Sequence, residues 1–498
     1  MSRRLSLAPR RPGRLAVMMS RPLSAAAAVT AAVTAALLLA GCSLAPAYHR
    51  PADLQVPQYK EIAGWAPAQP ATAGNGPWWQ LFGDARLNEL EGRLAEGNPD
   101  LRAAFERFAQ ARALALAAHS NEFPSLGLGA DATRERYSEN GQFFQGQTYN
   151  DFSASLNLAW EIDVFGRLRN TAAAAAASAQ ASAADFAAVK LSLQAELATD
   201  YFNLRGDDAV IRLLADSVET FHHATQMTTR RYQVGTAAAT DVDQAQTLEQ
   251  DARAQLAATR LQRAQLEHAI AVLLGLPPAA FTLPAAPLTE EPPVVEVGLP
   301  STLLQRRPDV ASAERAVFAA NAEIGVARAA WFPVFSLQST ALGLESVAGA
   351  TWLSAPSRFW SVGPTASLPL LDAGARVAVN RQARASYAQA VANYRKATLT
   401  AYQEVEDNLA ALHFLSDQQA ADEAASKSAQ SSAYHADERY AAGVADYVEV
   451  TTTHTAALQA QSAALMSRTA RMDATVALVR ALGGGWTRSQ LDQPPTQP

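Results

Sequence analysis

The 498-residue chain has one cysteine, so no disulfide can form within it and a cysteine-based zinc site is excluded in practice. It has no surplus of basic residues: 41 Lys and Arg stand against 47 Asp and Glu, a net charge of −6. That balance argues against nucleic acid as a partner. Aromatics are sparse at 7%. No P-loop, His-Glu-x-x-His or Gly-x-Ser-x-Gly pattern occurs. Gly127–Ala132 has dinucleotide-fingerprint spacing but no helix expected after it, and a strand explains it better. His222 and His223 are neighbours on an expected helix and point about 100° apart, a poor metal pair. No cofactor, metal or catalytic residue is expected. Beyond the first forty residues no apolar run approaches the ~18 residues of a membrane helix.

What is present begins with an address. Six arginines and no acid occupy residues 1–41, and an apolar run from Ala25 to Leu39 ends at Leu39-Ala40-Gly41-Cys42. Basic, then apolar, then small is the plan of a secretory signal. Met18 and Met19 offer alternative starts. The end of the run resembles the bacterial lipoprotein box, which implies cleavage after residue 41 and lipidation of Cys42. Ser43, rather than Asp, implies the outer membrane.

The chain is also duplicated. Asn98-Pro99-Asp100-Leu101 recurs as Arg307-Pro308-Asp309-Val310, and Phe123-Pro124 as Phe332-Pro333, each pair 209 residues apart. Asp163 and Arg167 match Asp372 and Arg376 at the same offset. Arg231-Tyr232-x-x-Gly235 recurs as Arg439-Tyr440-x-x-Gly443, offset by 208, and Asp241-Val242 as Glu449-Val450. Five ordered landmarks at a near-constant offset define two repeats.

The expected organisation is a signal peptide over 1–41, a lipidated extended segment over 42–76, a first repeat over 77–283, a proline-rich joint over 284–300, a second repeat over 301–486 and a disordered tail over 487–498. Each repeat has one plan. A short helix follows Pro-Asp, over about Asp100–Ala118 and Asp309–Ala330. Two strands come next, at about 125–136 and 151–163, then 334–344 and 359–371. Long helices over Arg167–Val234 and Ala375–Ala442 follow, about 100 Å each at full length. The second has neither Gly nor Pro, and the first is interrupted only by Gly206. Gly235 and Gly443 close them as helix-ending glycines. Return helices are expected over Thr240–Leu274 and Val444–Leu482. Helices of that length cannot be buried in one globular core and call for long lateral neighbours.

Phe152, Ala154, Leu156, Leu158, Trp160 and Ile162 alternate with polar residues over about eleven positions, the length of a tilted membrane-spanning strand. Four strands cannot close a barrel, and an open edge in lipid leaves backbone groups unsatisfied. Several chains must pool their strands, and three is the smallest number that leaves a lumen.

Cys42-Ser-Leu-Ala-Pro-x-Tyr48, Trp78-Trp79-x-x-Phe82, Asn98–Leu101, Trp160-Glu161-Ile162-Asp163-Val164-Phe165-Gly166-Arg167 and the two Arg-Tyr-x-x-Gly turns together resemble the TolC/OprM family of outer-membrane efflux channels, in its lipoprotein branch. The resemblance implies a mainly helical chain with a membrane β part. It implies a homotrimer with a twelve-stranded β-barrel continuous with a twelve-helix α-barrel. It implies outer-membrane lipid around the barrel, and a periplasmic adaptor (membrane fusion protein) and an inner-membrane pump, of the RND type, as partners. The function implied is passive export. A type I protein-secretion duct, and a lipid-anchored coiled-coil rod, are the alternative readings. At the helical turns the resemblance implies a periplasmic gate at Thr240, Asp241, Tyr440, Asp446 and Glu449, with Glu449 attracting cations and Tyr440 tied to Asp241. Ala445 departs from the family pattern, where a gate arginine is expected, and Thr452 stands in place of a second carboxylate.

Overall fold

The structure is a computed structural model that describes residues 43–52, 56, 58–61, 77–140, 146–293, 295 and 305–492. The signal peptide, Cys42, the whole 62–76 stretch, the end of the joint and the last six residues lie outside the described residues. Two compact units form. One contains residues 117–173 and 321–383 with the described N-terminal residues up to Ala47. The other contains the described residues within 48–116, 174–320 and 384–492.

The first unit is built around a four-stranded antiparallel sheet in the order β1-β2-β3-β4. Its strands are β1 (Ser125–Arg136), β2 (Thr148–Ile162), β3 (Val334–Ser346) and β4 (Arg358–Ser367). Gly127–Ala132 is part of β1. β4 stops four residues before the expected end, because Pro369 has no N–H to offer a ladder. Beyond it Leu370 and Leu371 are largely exposed. The register sorts the two faces. Leu126 pairs with Leu158, Leu128 with Leu156 and Ala132 with Phe152, so these side chains share one face. Trp160 and Ile162 continue it opposite Leu337 and Phe335, and these in turn face Pro364 and Ala366 on β4. The other face carries Ser153, Ser155, Asn157, Gln338 and Thr340. There Thr340 donates to Asn157 at 3.1 Å, and Asn157 donates to Ser155 at 2.8 Å. Gly343 lies beneath Phe359, whose ring leaves no room for a Cβ. The apolar face is uncovered: Leu128 is 80% and Trp360 74% exposed.

The N-terminal residues of this unit are pinned beside the end of β2. Ser43 donates to Asn170 at 3.0 Å, Asn321 donates to the Pro46 carbonyl at 2.9 Å and Arg328 to the Leu44 carbonyl at 3.1 Å. Arg167 and Arg376, aligned by the repeat, do not share a partner type. Arg376 holds Asp372, whereas Arg167 holds Glu161 and Asp163 is bound by Arg169.

The helices are α1 (Ala85–Gly97), α2 (Pro99–Ser120), α3 (Arg167–Gln233), α4 (Ala239–Leu273), α5 (Pro308–Ala329), α6 (Ala375–Ala441) and α7 (Tyr447–Ala481). α1 was not expected. It starts at Asp84, whose carboxylate accepts from the N–H groups of Arg86 and Leu87. It buries Leu87, Leu90 and Leu94 in the main core of the second unit, with Tyr201, Phe202 and Val405. Gly206 does not interrupt α3. A Cβ there would lie 2.4 Å from the Thr469 hydroxyl, so the glycine permits close approach of α7. Of the tail expected to be disordered over 487–498, the described part forms a 3-10 helix over Arg488–Asp492, where Arg488 reaches the buried Glu314 at 3.0 Å.

The duplication is a packing identity as well as a sequence one. Asn98 donates to the Leu273 carbonyl, and Arg307, its counterpart, to the Ala481 carbonyl. The glycines that end the return helices, Gly275 and Gly483, have φ of +71° and +94°. A Cβ at either would lie 2.1 Å from a backbone oxygen, that of Gly97 or of Arg306. Each repeat therefore closes by seating one glycine against the residue before its Asn/Arg-Pro-Asp start. The joint is ordered at its beginning. Ala286 N–H donates to Asp208 and Arg205 donates to the Pro284 carbonyl, so a buried Arg205–Asp208–Arg263 network holds it.

Candidate functional site

The expected gate residues all lie where the long helices of the second unit turn. Both turns have the same cause. Gly235 and Gly443, at φ +77° and +74°, let the chain leave the helix left-handed. Thr236 N–H then reaches the Arg231 carbonyl, and Val444 N–H the Arg439 carbonyl, closing the last turn. The return helix α7 begins at Tyr447 rather than Val444, because Asp446 is still extended and occupies the N-cap.

The residues at these turns are brought together, but not by the bond expected. The Asp241 carboxylate accepts from the Ala238 N–H at 3.3 Å, capping α4 in its own first turn. No Tyr440–Asp241 hydrogen bond forms within the chain. Tyr440 instead packs its ring edge-on against Tyr447, with centroids 5.1 Å apart, and receives the Arg231 guanidinium 4.7 Å from its ring centroid. Glu449 faces Arg439 at 3.6 Å. Asp446 makes no side-chain cap bond, and Thr240 is exposed in the first turn of α4. Thr452 turns its hydroxyl back to the Val448 carbonyl.

Tyr447, the first residue of α7, completes this cluster. It is buried with Ala245, Ala436 and Val450. Burial, above all, pushes its phenol up to about 12, against a hydrogen bond with Thr228 that acts the other way. Arg231 and Arg439 were legible only as parts of a motif. A further layer follows: His454 bonds Asp437 at 2.9 Å and stands edge-on to Phe221, and His222 bonds the buried Glu249 at 3.0 Å. His223 pairs separately with Glu219. Among the described residues no cluster of three or more His, Cys, Asp or Glu is arranged to hold a metal, and no helix is long and apolar enough to cross a membrane.

An amphipathic sheet with one apolar face, duplicated with helices of 67 residues, defines a class of outer-membrane channel rather than an enzyme. Residues 90–276 and 299–484 each match the family described as outer membrane efflux protein, so the two matches fall on the two repeats. The chain belongs to this family. It is 32% identical over 460 residues to the probable efflux pump outer membrane protein TtgC of Pseudomonas putida, covering 91% of this chain and 95% of that one. It is 31% identical over 464 residues to the pyoverdine export outer membrane protein OpmQ of Pseudomonas aeruginosa, covering 91% and 96%. The solved outer-membrane channel OprN superposes with a TM-score of 0.83 at 30% identity, over 89% of this chain and all of that one. The protein is an outer-membrane efflux channel, passive in itself.

Proposed function

We propose that three copies of this chain form a closed export duct, a twelve-stranded barrel continuous with a twelve-helix tunnel, lipid-anchored through Cys42. It would serve a tripartite small-molecule efflux system with a periplasmic adaptor and an RND-type inner-membrane pump. The observation that carries this is the sheet. β1 and β4 leave their outer edges unpaired among the described residues, and one face is mostly apolar, with Leu126, Leu128, Leu342, Trp360 and Val362 exposed on it. Such a face belongs against lipid, and such edges are tolerated in lipid only if other strands close them. A rod would have no use for either. The pinned position of Ser43 beside the end of β2 supports the anchor, since it holds the residue next to Cys42 at the root of the membrane strands. The turn residues Thr240, Asp241, Tyr440, Asp446 and Glu449 form the periplasmic gate in this reading.

The test is mass in detergent together with conductance in a planar bilayer. A mass of about three chains with discrete single-channel steps is expected. A conducting monomer, or a trimer that passes no current, would overturn the reading.

A further inference from the structure

Arg231 and Arg439 occupy equal places in the two Arg-Tyr-x-x-Gly turns, as do Tyr232 and Tyr440. Where duplicated units alternate around a closed ring, each junction between them repeats the same contacts. Within one chain only one such junction exists. There Arg231 of the first repeat lies over the ring of Tyr440 of the second, at 4.7 Å. The twin contact would set Arg439 of the second repeat on Tyr232 of a first. In the single chain this pair is left open: Tyr232 is 50% exposed, and the Arg439 side chain is 57% exposed. Arg439 does have Glu449 at 3.6 Å. That contact engages the edge of the guanidinium, and a planar guanidinium can pair at its edge while stacking through its face.

We propose that Arg439 stacks on Tyr232 of a second copy of this chain. Arg231–Tyr440 contacts within chains and Arg439–Tyr232 contacts between chains then alternate around the gate and hold it shut. These two arginines supply the cation that Ala445 does not. The inference rests on the trimeric reading above. It also changes what Tyr440 does: the aromatic face, not the hydroxyl, carries the lock.

The test is cross-linking of outer membranes with a short bismaleimide. The paired substitution Tyr232→Cys with Arg439→Cys should give covalent dimers and trimers. Arg231→Cys with Tyr440→Cys should leave single chains, because both thiols belong to one chain. Each single substitution controls for reaction at Cys42. A trimeric mass with no ladder from the 232/439 pair would overturn this inference alone, whereas a monomeric mass would overturn the trimeric reading and this inference with it. In bilayers, Arg439→Gln, Arg231→Gln and Tyr440→Leu should each raise the open probability about tenfold across three copies, and Tyr440→Phe should match the parent. A Tyr440→Phe channel as open as Tyr440→Leu would assign the lock to the hydroxyl and overturn the stacking.

Discussion

At the scale of single residues, the second unit contains a buried carboxyl that makes no hydrogen bond among the described residues. Glu91 lies on the buried face of α1, fully inaccessible, with neither carboxylate oxygen hydrogen-bonded. Burial pushes it up to about 9, against a weaker pull from Lys190. It is therefore a neutral acid at neutral pH. The folded protein holds this proton between the ordinary carboxylate value and about 9, and the unfolded chain does not. Stability is thus fully present below the ordinary value and declines as pH rises through that window, by up to roughly 1.4 kcal/mol per pH unit. Glu91→Leu should remove this dependence, with a stabilisation on the order of 1–3 kcal/mol. Melting temperatures in detergent at pH 5 and pH 8 check it: the gain should be larger at pH 8, and equal gains would contradict the assignment. Sequence gave no hint of this, since a glutamate among leucines on a short helix reads as a solvated position. Only packing against the long helices shows which face it occupies.

At the scale of elements, the strands were legible because their alternation has period two and ends at recognisable turns. β1 matches its expected span, and β4 was overextended through a proline. The sheet assigns each side chain a face, and the faces carry opposite expectations. Leu156 pairs with Leu128 and Leu342 on the apolar side, while Asn157 faces the polar side. Leu156→Arg should impair insertion, at about 2–4 kcal/mol for a cation near the bilayer midplane. Asn157→Lys should be tolerated and alter conductance only. Fractionation of outer membranes and the amount of folded channel report the difference. Equal loss for both would show that the two faces are not lipid and lumen. The helices were equally legible in length, because 67-residue runs with little Gly or Pro have few alternatives. The short α1 was missed because thirteen residues with two glycines give a weak signal.

At the scale of the whole molecule, the mouth is expected to select by charge. Three Glu449 carboxylates at a narrow opening would raise the local cation concentration, and low-dielectric walls would strengthen the effect. Each stands 3.6 Å from an Arg439 guanidinium, which tempers its field without cancelling it. Glu449→Gln should therefore lower the cation-to-anion permeability ratio, by an amount that shrinks at high salt. Reversal potentials across a KCl gradient measure this. An unchanged ratio would remove Glu449 from the conduction path. The effect should be separable from that of Arg231→Gln, which alters opening rather than the field in the open mouth.

The sequence by itself determined the duplication, the strand and helix periods and the turn glycines, and it supplies the argument for several copies. These follow from local chemistry: side-chain alternation, the conformational freedom of glycine, and the requirement that backbone groups in lipid find partners. The tertiary structure decided which side chains meet. Asp241 was expected on Tyr440 and is occupied by its own helix start, because a carboxylate at that position finds an unpaired N–H three residues away before it finds a phenol on another helix. Arg231 reaches Tyr440 only because two helix turns more than 200 residues apart are brought to the same level by packing along the long helices. Contacts of that kind depend on helix rotation and register, which no local pattern encodes.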